Sequence, residues 1–228
     1  MSLSKDLLGL FKIAPSEKNS YFITFEGIEG AGKSTQIKLF KSWLEESKYK
    51  VFSHREPGGT PFGEKLREAI LKSDTPLDPL AEVCLFASGR AQLLKEKILP
   101  ELSKPDTIVL DDRYMDSSLA YQGCARKLGT ETILQIHKFA PLNLLPHLTF
   151  YIRIDLEVSL QRQLKRGEDR DYFEKEKEVF YRALIEGYDQ AALIFPERFV
   201  IIDGSGNEHE IQNSIRNAFE KMIKKNRT

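Results

Sequence analysis

YFITFEGIEGAGKST, running from Tyr21 to Thr35, decides the fold. Tyr21 to Phe25 are all aromatic or β-branched, the composition of a buried strand. Gly27 to Ser34 then follows the pattern G-x-x-x-x-G-K-[ST]. From Lys33 to Glu46 the apolar residues Ile37, Phe40 and Leu44 recur at helical spacing. A strand that passes through glycines into a helix is a phosphate cradle. The glycines let successive backbone N–H groups turn inward, and the helix N-terminus adds partial positive charge. Gly27, Ile28, Glu29, Gly30, Ala31, Gly32, Lys33, Ser34 and Thr35 are therefore the predicted ATP-binding loop. Lys33 is placed to reach the β- and γ-phosphates, and Ser34 to ligate Mg²⁺.

Outward from this loop the chain alternates strands with helices. Val51–Ser53, Thr107–Leu110, Leu148–Ile154 and Phe199–Ile202 read as strands. Helices are expected near Gly63–Leu71 and Glu82–Leu99, and at the C-terminus, where Ile211, Ile215, Ala218, Phe219 and Met222 share a face. This order predicts a three-layer α/β fold of the P-loop NTPase type, a parallel five-stranded sheet with helices on both faces. Residues 20–228 form one domain in this reading. Residues 1–19 are expected to be a dispensable extension, with Leu3, Leu7 and Leu10 making a brief amphipathic turn.

The 228 residues carry 34 basic and 34 acidic side chains, without the basic excess of a general nucleic-acid binder. No apolar run approaches the roughly 20 residues of a membrane span, and Asp6 and Lys12 interrupt what would be a signal peptide. Neither nucleic acid nor membrane is an expected partner, and the expected location is the cytoplasm. Cys84 and Cys124 have no metal-ligand spacing. Cys84, in an apolar stretch, is expected to be a buried free thiol.

A P-loop serves switches, motors and kinases alike, so other residues must choose among them. No N-K-x-D guanine-reading motif is present. Arg55-Glu56-Pro57-Gly58-Gly59-Thr60 follows the second strand, and Phe86-Ala87-Ser88-Gly89-Arg90 lies on a helix. Asp112-Arg113-Tyr114 with Ser117-Ser118-Leu119-Ala120-Tyr121-Gln122-Gly123 follows the third strand. Strand-end loops are where open α/β sheets bind ligands. Asp112 is positioned to hold hydrated Mg²⁺. Arg113 is suited to clamp a doubly charged phosphate. Phe86 and Arg90, four residues apart, address one ligand from one helix face.

With the P-loop, these stretches resemble the thymidylate kinase family from about Tyr21 to the C-terminus. The resemblance implies transfer of phosphate from ATP to dTMP, with Mg²⁺ and a homodimer. It implies that Phe86 stacks on thymine and Arg90 hydrogen-bonds a base oxygen. Ser118 and Gln122 match positions at the base edge, Arg67 one near the acceptor phosphate, and Tyr121 one that crowds the sugar's 2′ position. Glu29 matches a carboxylate near the acceptor's 3′-hydroxyl and phosphate, while Arg55 and Glu56 should line the transfer site. Glu29-Gly30 occupies the place where one branch of the family carries a P-loop arginine. The bacterial-type branch supplies that cation from a lid, here near residues 162–173. Arg166, Arg170 and Arg162 are the candidates, in that order, and the lid is about a residue short near Glu168-Asp169. A deoxynucleoside kinase with Glu56 as general base, another monophosphate kinase and a non-catalytic ATP-binding regulatory module remain the alternatives.

Overall fold

A computed structural model describes residues 3–166 and 178–227, without the side chains of residues 166, 226 and 227. The chain begins with α1 (Lys5–Leu8) and β1 (Lys12–Ile13), then β2 (Tyr21–Glu26) leads through the glycine loop into α2 (Lys33–Glu46). β3 (Lys50–Arg55), α3 (Pro61–Leu71), α4 (Pro79–Leu93), α5 (Leu99–Leu102) and β4 (Thr107–Asp112) follow. Next come α6 (Met115–Ser118), α7 (Thr130–His137), β5 (Leu144–Leu145), β6 (Leu148–Arg153) and α8 (Leu156–Arg166). α9 (Glu178–Ile194), β7 (Phe199–Asp203) and α10 (Glu208–Arg227) close the chain. Two π-helical stretches, Leu94–Ile98 and Leu119–Ala125, continue α4 and α6.

The main sheet has the order β3-β4-β2-β6-β7, and every pairing in it is parallel. Such a sheet needs apolar cover on both faces, and β2 is buried along its whole length. One core cluster packs Phe25, Phe40, Phe150, Ile215 and Phe219, from the sheet, α2 and α10. The other packs Phe22, Val83, Leu94, Val109 and Ile133, from the opposite sheet face, α4 and α7. The expected three-layer architecture is present, and the parallel register brings the C-terminal ends of β2, β3 and β4 side by side.

Two expectations need correction. Residues 3–18 do not trail off the domain. β1 pairs in parallel with β5, and Leu7, Phe11 and Ala14 are buried in the second core, where Phe11 meets Phe195 at 5.8 Å between ring centroids. Ser16 adds a 3.2 Å hydrogen bond to the His147 ring. The amphipathic turn exists, but Leu10 is 45% exposed and Phe11 takes the inward place. Cys84 is also misread: α4 turns Val83 and Ala87 inward and leaves Cys84 exposed.

Candidate active site

The glycine loop is closed by close backbone approach. Gly27 has φ +139°, and a Cβ there would lie 2.5 Å from the Ile152 carbonyl oxygen. The loop delivers Lys33 to the first turn of α2, where its ammonium donates to the carbonyls of Gly27 at 2.9 Å and Ile28 at 3.2 Å. Burial, helped by the nearby Arg113 cation, lowers the Lys33 pKa to about 8. A further anion beside it, added to Asp112, Glu29 and Glu26, would work against that shift.

Two cavities open on either side of this lysine. The first, about 280 Å³, is bounded by Glu29, Arg67, Phe86, Arg113, Tyr121 and Gln122, with Arg55, Glu56 and Ser118 also in its wall. The second, about 660 Å³, runs along Gly30, Ala31, Gly32 and Thr35 to Arg162 and Asn207. Lys33 and Ser34 line both.

In the smaller cavity Arg113 and Glu29 face each other. Arg113 Nη2 donates to Glu29 Oε1 at 2.7 Å, and the Tyr121 hydroxyl donates to the same oxygen at 2.5 Å. Burial works to raise the Glu29 carboxyl, but Arg113, Lys33 and Tyr121 together hold its pKa below the usual range. Arg113 Nη1 also donates to Tyr188 Oη at 2.9 Å. Tyr188 reaches it because α9 lies hard against residues 119–125: a Cβ on Gly187 would stand 2.6 Å from the Ala120 Cα.

Beneath the cavity is a buried polar layer. Arg90 Nε donates to Glu56 Oε2 at 2.6 Å, with Nη2 at 2.6 Å from the same oxygen. Arg90 Nη1 donates to Ser118 Oγ at 3.1 Å and meets His137 Nε2 at 2.6 Å. Gln122 donates to Glu82 Oε1 at 2.7 Å. Burial outweighs Arg90 and raises the Glu56 pKa. Asp111, next to the Mg²⁺ candidate, is fully buried without a hydrogen-bond partner among the described residues, and burial with Glu56 and Asp112 nearby pushes its pKa far up. A neutral carboxyl is what such a site tolerates.

The family model described as thymidylate kinase matches residues 25–215. The chain belongs to the thymidylate kinase family. A thymidylate kinase of Caldanaerobacter subterraneus subsp. tengcongensis is 42% identical over 203 residues, 89% of this chain and 96% of that protein. One of Bacillus licheniformis is 40% identical over 210 residues, covering 91% of this chain and 99% of its own. One of Staphylococcus haemolyticus is 42% identical over 194 residues, 85% of this chain and 94% of its own.

In this family member most of the sequence-predicted acceptor residues converge on one cavity. Arg90 is the exception, 1% exposed and set behind the wall that Ser118 and Glu56 form. Arg55 is at the mouth, paired with Glu64 at 3.1 Å. Arg67 donates to the Pro57 carbonyl at 3.0 Å. Gly27 and Ile28 act through their carbonyls on Lys33.

Arg162 does not face the acceptor. It donates to the carbonyls of Gly30 at 3.1 Å and Gly204 at 2.9 Å, tying the P-loop to the loop after β7 on the wall of the larger cavity. Arg166 ends α8 with its side chain outside the described set, and Arg170 lies outside the described residues. Sequence reading gave Ser117 no role of its own and did not single out Tyr188, Asn207 or His137. Gly204–Asn207 after a predicted strand was a usable signal for a second ligand loop.

Proposed function

We propose that this chain transfers the γ-phosphoryl group of ATP to dTMP, giving dTDP and ADP. The observation that carries the reading is the pair of cavities sharing Lys33 and Ser34. A phosphoryl group held at Lys33 is within the walls of both, so donor and acceptor meet there. The acceptor phosphate is already an anion, so no base has to strip a proton from it, and catalysis reduces to positioning and charge stabilisation. Glu56 commits one oxygen to Arg90, an arrangement suited to a structural ion pair and poorly to the general base a nucleoside kinase needs.

In this reading Arg113 takes the acceptor phosphate, exchanging part of its bond to Glu29 for it. Arg67 and Arg55 add positive charge at the same end of the cavity. Phe86 supplies the face for thymine, with Arg90, Ser118 and Gln122 at the base edge and Tyr121 against the sugar. The larger cavity takes ATP, with Arg162 on its wall; Arg166, Arg170 and Arg162 stay the candidates for the transition-state cation.

Ser34 and Asp112 fit a hydrated Mg²⁺. Ser34 Oγ donates to Asp112 Oδ2 at 3.1 Å, and Asp112 Oδ1 is buried with no hydrogen-bond partner among the described residues. When bound, Mg²⁺ supplies neutralising charge to the β- and γ-phosphates. A homodimer is supported by the exposed apolar side of α4, where Leu80 and Cys84 face outward. Two free thiols suit a reducing cytoplasm. Among the described residues no helix is long and apolar enough to cross a membrane.

Calorimetry on Arg113→Ala tests the division of labour between the cavities. Affinity for dTMP should fall at least tenfold and that for ATP by less than twofold, and equal losses would contradict the assignment.

A further inference from the structure

We propose that His137 is a positioning residue for the acceptor base, acting through Arg90. The inference deepens the reading above and rests on it. His137 is fully buried at the end of α7, 47 residues from Arg90 in sequence. Its Nδ1 lies 2.8 Å from the Ile133 carbonyl oxygen, which can only accept, so Nδ1 carries the proton. That tautomer leaves a lone pair on Nε2, aimed at Arg90 Nη1 at 2.6 Å. The guanidinium has only donors, so the pairing is complementary in this one state of the ring.

The three partners divide the Arg90 fork between them. Glu56 holds Nε and one edge of Nη2, while Ser118 and His137 take the two hydrogens of Nη1. In the reading above the other Nη2 hydrogen is the one assigned to the base edge, which a ligand meets past Ser118 and Glu56, since Arg90 is 1% exposed behind them. A base carbonyl accepts from it, whereas an exocyclic amine in the same place would set donor against donor. His137 thus fixes the direction of an obligate donor and favours a base with a carbonyl at that edge over one with an amine. Without the imidazole lone pair, one Nη1 hydrogen is unpaired in a buried site and the fork loses one of its three anchors, leaving Glu56 and Ser118.

The test compares His137→Phe, which keeps a planar ring and removes the acceptor, with His137→Gln, which offers an amide oxygen. In His137→Phe the KM for dTMP should rise about tenfold, with kcat and the KM for ATP within twofold of wild type. The preference for dTMP over dCMP should narrow by a similar factor. His137→Gln should recover most of both losses. An unchanged dTMP KM in His137→Phe, an equal rise in the ATP KM, or no recovery in His137→Gln overturns the inference. Should His137→Phe fail to fold, ¹⁵N spectra of the wild-type imidazole decide. An unprotonated Nε2 whose resonance moves on adding dTMP supports the role, and a protonated or unresponsive Nε2 refutes it. Wild-type enzyme that turns over no dTMP refutes the proposed function itself, which separates the two failures.

Discussion

Phe11→Ala tests whether the N-terminal segment is part of the folded domain. Deleting residues 1–18 outright would be a poor test. It removes buried apolar surface and also releases the backbone of the ordered residues, whose conformational entropy is worth roughly 1–2 kcal/mol each and acts in the opposite sense. A point substitution leaves the backbone in place. Phe11 is 8% exposed and packs in the second core against Phe195. Truncating a buried Phe costs about 3–5 kcal/mol, and the residual exposure places Phe11→Ala near 3 kcal/mol. Against a typical total of about 5–15 kcal/mol that is a large share. At roughly 2–4 °C per kcal/mol for a chain of this size, Tm should drop by about 6–12 °C. Urea unfolding of the wild type, Phe11→Ala and Leu10→Ala, the last at a 45% exposed neighbour, measures the difference. Leu10→Ala should stay within about 0.5 kcal/mol of wild type. If Phe11→Ala unfolds with the same midpoint as Leu10→Ala, the segment is an appendage and its core packing contributes nothing.

Two further outcomes follow from buried titratable groups. With a pKa of about 8, Lys33 is partly neutral in free enzyme above pH 8; ATP should restore its charge, so binding at pH 8.5 should take up a proton. Calorimetry in buffers of different ionisation enthalpy should show this for wild type and not for Lys33→Met, and buffer-independent heats would contradict it. Burial lowers His137 to about 3 and His147 to about 4, so the native state binds fewer protons than the unfolded chain below pH 6.5. Stability from these rings is intact above 6.5 and is lost as pH falls, at about 1.4 kcal/mol per pH unit each, or roughly 4 kcal/mol for the two by pH 5. Glu26, raised to about 8 by burial and by Asp116, works in the opposite sense between pH 8 and 4.5. Proton NMR of the folded protein therefore gives the cleaner readout: neither imidazole should titrate between pH 8 and 5, and a midpoint near 6.5 would refute its burial as a neutral ring.

Local chemistry made the central part of this molecule readable. The strand, glycine turn and helix of residues 21–46 are contiguous, and each is specified by its own residues. Strand ends were read short at Ser53 and Leu110, because the strands run on into polar residues that break the apolar pattern, His54-Arg55 and Asp111-Asp112. The two-residue strands β1 and β5 carry no periodicity to detect. α4 is apolar around most of its circumference, so nothing in the sequence said that Cys84 would point outward. For Arg162, helical spacing placed it on a face shared with Arg166 without saying which cavity that face would meet. Pairing of His137 with Arg90, and of Tyr188 with Arg113, depends on elements joined only in three dimensions. Such contacts leave no local signature.

The central claim is the identity of the acceptor, and a coupled ADP-release assay with ATP and Mg²⁺ across dTMP, dUMP, CMP, AMP, GMP and thymidine tests it most directly. The account predicts the highest kcat/KM for dTMP. With dUMP, the single missing methyl should cost about 10- to 200-fold and leave the reaction detectable. Thymidine, lacking the phosphate that Arg113 is assigned to hold, should react negligibly. Faster turnover of thymidine, CMP, AMP or GMP than of dTMP would contradict it.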